Sequence, residues 1–250
     1  LRRQRQMCIR DSDNASVRGK RNPIWWQTTV ASAGNLTSAV YRIFGKPFSE
    51  EGKKLFGVPF AQFLKLNSEF RYHYRIDKNQ MIASRIAGGV IWSYGNATTA
   101  PYTEQFYIGG ANSVRAFSAR SIGPGGYPPE TDRKYTYINH VGDIRIEANI
   151  EYRFRMIADL HGAVFLDAGN VWLMRKDENR PNGEFTLKNF PKQIALGTGF
   201  GLRYDLDFLV FRLDLGIGLH DPYDTGKSGY YNIPKFKDSM ALHFAIGYPF

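Results

Sequence analysis

Leu64-Lys65-Leu66-Asn67-Ser68-Glu69-Phe70-Arg71-Tyr72-His73-Tyr74-Arg75-Ile76 is the stretch on which the fold turns. Leu64, Leu66, Phe70, Tyr72, Tyr74 and Ile76 share one parity; Lys65, Asn67, Glu69, Arg71, His73 and Arg75 share the other. A period of two puts these sets on opposite faces of an extended strand, one apolar and one charged. The run exceeds the roughly 5 to 6 residues of an average soluble strand. It also meets the roughly 9 to 11 residues that a tilted strand needs to cross a bilayer.

The pattern recurs. Ile146, Ala148, Ile150, Tyr152 and Phe154 alternate with Glu147, Asn149, Glu151 and Arg153. Leu209, Phe211, Leu213, Leu215 and Ile217 alternate with Val210, Arg212, Asp214, Gly216 and Gly218. Strands are predicted over 23–33, 62–76, 80–94, 141–155, 160–172, 193–205, 207–219 and 240–250. Their connections sort by length. Asp77-Lys78-Asn79, Ile157 to Asp159 and Leu206 are short, whereas 34–61, 95–140, 173–192 and 220–239 are long, in strict alternation. A transmembrane barrel has this asymmetry because one membrane face carries tight turns and the other long loops. The predicted class is therefore all-β, an antiparallel outer-membrane β-sheet. Leu209, Phe211, Leu213, Phe244 and Ile246 are expected to face lipid, with Arg212, Asp214 and His243 facing the lumen.

Composition agrees. The 250 residues hold 33 Lys plus Arg against 23 Asp plus Glu, a formal charge of +10. No window supplies the 18 or so consecutive apolar residues of a spanning helix. One cysteine excludes a disulfide framework and any multi-cysteine metal site. The positive charge is scattered over alternating strands and loops, without a basic helix or finger spacing, so no nucleic-acid partner is implied. A lined channel and loops facing lipopolysaccharide account for it. The segment 1–12 holds Arg2, Arg3, Arg5, Arg10 and the only cysteine, Cys8, with no apolar stretch behind them. It lacks the core of a signal peptide. Gln6 to Ser12 resembles a translated adapter scar, so 1–12 is set aside as non-native and 13–250 is taken as the barrel part.

Three motifs remain. The chain closes on Leu242-His243-Phe244-Ala245-Ile246-Gly247-Tyr248-Pro249-Phe250, with Phe244, Ile246, Tyr248 and Phe250 at alternate positions. Loop 95–140 carries Tyr107-Ile108-Gly109-Gly110-Ala111-Asn112-Ser113-Val114-Arg115-Ala116-Phe117. A later strand carries Phe165-Leu166-Asp167-Ala168-Gly169-Asn170-Val171-Trp172. Parity alone sets Phe165, Asp167 and Gly169 on one face, with Glu151 lumenal on the preceding strand. An arginine on an inserted loop then has two carboxylates within its reach, and its fork suits bidentate pairing.

Together these residues resemble the BamA/TamA family of outer-membrane protein assembly and translocation factors, also called the bacterial surface antigen family. That family carries a Val-Arg-Gly-Phe/Tyr loop folded into the lumen, a strand with Phe-x-Asp-x-Gly, and a terminal aromatic strand that signals insertion. The resemblance covers essentially all of 20–250 and implies the last eight strands of a sixteen-stranded barrel, here an open curved sheet. It assigns Val114, Arg115, Ala116 and Phe117 to the lumenal loop, Asp167 and Glu151 to Arg115 as partners, and Phe165 and Gly169 to the wall beside it. Ala116 stands where the family usually has Gly. If that position needs positive φ, the alanine would be strained.

The resemblance implies insertion or translocation of envelope proteins at a lateral seam of the barrel. The expected partners are the outer-membrane bilayer, unfolded outer-membrane proteins and periplasmic or lipoprotein assembly partners. It implies no cofactor, metal or catalytic residue. His73, His140, His161, His220 and His243 show no paired metal spacing, and no nucleophile and base arrangement is visible. Gly197-Thr198-Gly199-Phe200-Gly201 lacks a phosphate-loop fingerprint and reads as small lumenal residues that leave room for the loop. The rival readings are a passive pore or receptor, with no lumenal contact for Arg115, and the membrane anchor of a surface enzyme. Upstream POTRA-type repeats or a lipase-like domain would separate these.

Overall fold

The computed structural model describes residues 6–13, 22–47, 52–129, 140–206 and 208–250. Residues 1–5 of the set-aside segment and 130–139 of the long loop lie outside this range. One antiparallel sheet dominates. Its strands are β1 (Gln6–Asp13), β2 (Ile24–Ala33), β5 (Phe63–Arg75), β6 (Gln80–Ser93), β7 (Ile144–Ile157), β8 (Leu160–Trp172), β9 (Ala195–Asp205), β10 (Val210–His220) and β11 (Met240–Ile246). They lie side by side in chain order, from β1 at one edge to β11 at the other. Among the described residues these two edges do not pair with each other, so the sheet is open.

The eight strands expected from parity are all present, with ends shifted by a few residues. Three features differ from expectation. Gln6–Asp13, set aside above, pairs with β2 over its whole length, Gln6 with Ser32 through Asp13 with Trp25. The edge of β2 thus has a neighbour, as unpaired N–H and C=O groups along an edge favour. Second, the described residues of link 34–61 hold secondary structure. It carries α1 (Asn35–Ile43) and a two-residue hairpin of β3 (Lys54–Leu55) and β4 (Val58–Pro59). Leu36, Val40 and Ile43 recur at helical spacing, but all three are exposed. Third, the last strand ends at Ile246 rather than at residue 250. Gly247 turns the chain with φ of 85°, after its N–H extends the ladder by one bond to Val210 O at 2.8 Å. Tyr248 and Phe250 therefore leave the alternating pattern.

The two faces are inverted relative to a soluble protein. Leu64, Leu66, Phe70, Ile86, Ile150, Val164, Leu166, Phe200, Leu213, Leu242, Phe244 and Ile246 are exposed. Arg85, Glu147, Glu151, Arg153, Asp167, Arg203, Arg212 and Asp214 are buried. Such a swap is the informative kind of burial, and it matches a sheet with lipid outside and a filled lumen inside. The core sits on the lumenal face near the long-loop end. Loop residues Phe106, Ile108, Val114 and Ile122 pack there against Phe63, Ile91, Val171 and Ala195 of the wall.

Leu213 lies near the middle of β10, facing out, and its neighbour Asp214 faces in. In the full-length protein Leu213→Arg should cost about 2 to 4 kcal/mol if it sits near the bilayer midplane. Unfolding midpoints in lipid vesicles measure this; a Leu213→Arg protein as stable as Leu213→Met would contradict the lipid-facing assignment.

Candidate functional site

After β6 the chain enters the lumen over residues 94–129, and residues 140–143 lead into β7. Its base is pinned by an isolated bridge, Phe106 N–H to Gly142 O and Gly142 N–H to Phe106 O, each 2.9 Å. Further in, Gly110 N–H donates to Phe117 O at 2.8 Å and Arg120 N–H to Ile108 O at 3.1 Å. These bonds bring the two limbs together and leave residues 111–116 as the tip.

Arg115 is the centre of that tip and has no exposed surface. Its Nε donates to Asp167 Oδ2 at 2.8 Å and its Nη2 to Asp167 Oδ1 at 2.9 Å, a bidentate fork. Its main-chain N–H donates to the same carboxylate at 3.0 Å. Nη1 pairs with Glu151 Oε2. The guanidinium also lies over the Phe165 ring, 3.5 Å from its centroid. Asp167 and Glu151 come from adjacent strands whose register sets Asn149 opposite Asp167 and Glu151 opposite Phe165. Asn149 bridges wall and loop, donating from Nδ2 to Asp167 Oδ1 and to Ser113 O, both 2.9 Å. Charge-assisted bidentate bonds of this kind fix geometry as well as energy.

The charges continue around the wall. Glu151 Oε1 pairs with Arg153 Nε at 2.7 Å and Glu151 Oε2 with Arg203 Nη2 at 3.1 Å. Arg203 Nη1 reaches Asp214 Oδ1 at 2.6 Å. Asn112 is gripped from opposite sides, its carbonyl by Arg85 Nη1 at 2.8 Å and its side-chain oxygen by Arg212 Nη2 at 2.5 Å. Arg203 and Arg153 did not emerge as site residues from the sequence. The signal was available: Arg203 shares the parity of Gly197, Gly199 and Gly201, and Arg153 that of Glu151.

The wall under the tip is bare backbone. A β-carbon on Gly197 would overlap that of Ala116, and one on Gly216 would overlap the Arg115 carbonyl. Gly169 is pressed against Ile146 O, with Ile108 of the loop above it. Ala116 is not among the residues with positive φ, so the alanine is unstrained and its methyl group occupies the gap over Gly197. Val114 is buried in the loop core and Phe117 packs against that core. At the other end, Phe244 and Ile246 point outward, whereas Phe250 is buried. Arg153 Nη2 donates to Phe250 O at 3.2 Å, and its guanidinium lies 4.6 Å from the Tyr248 ring centroid. The four residues of the terminal pattern are therefore divided between lipid and lumen. Among the described residues no group of three His, Cys, Asp or Glu could hold a metal ion.

Removing one member of a buried pair costs roughly 3 to 5 kcal/mol, less where water enters. Arg115→Ala and Asp167→Ala should each destabilise the full-length protein, and the double variant should lose much less than the sum. Denaturant unfolding of the four proteins measures the cycle. Additive losses would mean that the two side chains do not hold each other.

A model of the Omp85 superfamily domain matches residues 54–250. Over 204 residues the chain is 28% identical to a curated relative, the outer membrane protein assembly factor BamA of Nitratidesulfovibrio vulgaris (strain Hildenborough), covering 80% of this chain and 22% of that protein. The chain thus spans under a quarter of that relative's length. Among solved structures it is similar in fold to BamA from Haemophilus ducreyi lacking POTRA domains 1-3, with a TM-score of 0.50 and 13% identity, covering 95% of this chain and 57% of that one. A second similar structure is CdiB from Acinetobacter baumannii, with a TM-score of 0.44 and 15% identity over 97% of this chain and 37% of that chain.

Proposed function

This chain belongs to the Omp85 superfamily, a family of bacterial outer-membrane β-barrel proteins, and from that premise we propose that it inserts proteins into the outer membrane or passes them across it. One observation carries the reading: the lumen is filled by a loop whose tip arginine is bidentately paired to Asp167 and paired again to Glu151. The rival reading of a passive pore predicts no lumenal contact for Arg115. The working part is the terminal strand. β11 pairs with β10 over seven residues, Met240 to Ile246, whereas β5 to β8 run to 13 or 14. A short ladder holds this edge weakly.

An unpaired strand edge inside a bilayer cannot hydrogen-bond to water, and each unmet backbone group there costs several kcal/mol. An arriving polypeptide in extended form satisfies those groups by adding a strand. Its apolar face would then continue the lipid-facing row of Leu242, Phe244 and Ile246. The step is one of hydrogen-bond exchange and burial, and no covalent bond changes. The partners in this reading are the bilayer, unfolded outer-membrane proteins, and periplasmic or lipoprotein factors that deliver them.

A photo-crosslinking phenylalanine analogue separates this reading from a passive pore. In the full-length protein, reconstituted in liposomes and given an unfolded outer-membrane protein, the probe at Phe244 should capture the substrate. The same probe at Leu166, also exposed on the lipid face but on β8 in the middle of the sheet, should capture little. Equal capture at both positions, or none at Phe244 while substrate folds, would contradict templating at the terminal strand.

A further inference from the structure

The assembly reading, on which this inference rests, leaves open how the lumenal loop and the terminal strand act on each other. β11 offers three inward side chains, Ala241, His243 and Ala245. Only His243 among them is polar. Its Nε2 lies 2.9 Å from the main-chain carbonyl of Arg115, the residue whose guanidinium is locked to β7 and β8. A carbonyl can only accept, so Nε2 must carry the hydrogen. The approach is possible because Gly216, on β10 between β11 and β9, has no side chain beneath that carbonyl. We propose that His243 is a positioning residue that couples the seat of the lumenal loop to the pairing of the terminal strand.

Two observations give the contact its weight. β11 pairs with β10 over only seven residues, so a single side-chain bond is a sizeable part of what that short ladder supplies. The segment after it has a second tie of the same origin, because Arg153 binds Phe250 O and is itself paired to Glu151. Both ties therefore lead to the carboxylate that shares Arg115. The charged groups around His243 are Asp214, directly opposite it on β10, then Arg212 and Arg203, which pair with Asp214, and Arg115 itself. With the loop seated, His243 keeps β11 zipped to β10. When the tip lifts, the bond is lost and the strand frays, exposing the edge that a substrate would use. Such coupling is reciprocal: loosening the strand must loosen the loop by the same factor.

Amide hydrogen exchange on the full-length protein in lipid nanodiscs tests this without any substrate. Peptides covering 240–246 and 111–117 are followed in three variants. In H243Q the amide nitrogen can reach the position of Nε2, and both peptides should exchange at close to wild-type rates. In H243N the donor falls one methylene short, and exchange should rise about tenfold in both peptides, the size expected when one hydrogen bond of a locally opening unit is lost. Arg115→Ala, which leaves His243 intact, should speed 240–246 as well as 111–117. The proposal is overturned if H243N matches H243Q, or if Arg115→Ala speeds the loop and leaves 240–246 unchanged. Because exchange is read with no substrate present, failure here is separate from failure of substrate capture at Phe244. Restored folding of a reconstituted substrate in H243Q but not H243N would tie the coupling to assembly.

Discussion

A guanidinium with no exposed surface has to be paired where it lies, and Arg115 imposes that demand at the centre of the lumen. Stranding a buried charge costs more than any neutral contact in the loop could return. Two carboxylates on adjacent strands, Asp167 and Glu151, meet the demand. Their positions require both strands to hold the correct parity and register, since a slip of one residue would turn both carboxylates to lipid. Glu151 in turn serves Arg153 and Arg203, and Arg203 leads to Asp214. The arginine therefore fixes more than the loop: it ties β7, β8, β9 and β10 into one charged layer.

The glycines follow from the same constraint. A loop tip brought down to Asp167 must pass close over β9 and β10, and side chains at Gly197 or Gly216 would hold it off. The floor is low where the tip rests, and charged side chains rise around it. Outside, the strands keep their apolar residues toward lipid, so the wall needs no soluble core and the lumenal packing is supplied by the loop. β11 stands apart from this arrangement. Short and bent away at Gly247, it touches the charged layer through His243.

Much of this was legible in the residues because period-two alternation is a local property. Leu64 to Ile76 declares both its faces without reference to any other strand, and Asp167 and Glu151 can be placed in the lumen by counting. What could not be read depends on partners distant in sequence. Arg203 meets Glu151 across more than fifty positions of chain, and nothing near Arg203 indicates which carboxylate it faces. The helix at Asn35–Ile43 lies inside a long link whose length alone does not signal it. Its apolar residues do recur at helical spacing, but they are exposed in the structure rather than packed. The strand end at Ile246 is illegible for a different reason: Tyr248 and Phe250 continue the apolar alternation, and one positive-φ glycine overrides it.

The most direct test of the central claim is a dipolar recoupling measurement by solid-state NMR. It would be made on the full-length protein in lipid bilayers, between the guanidinium nitrogens of Arg115 and the side-chain carboxyl carbon of Asp167. Bidentate pairing predicts strong coupling from two of the three nitrogens, lost on Asp167→Asn exchange of the labelled acid. An Arg115 that shows no coupling to that carboxyl carbon while the barrel remains folded would contradict the account, because the loop would then be seated by something other than its arginine.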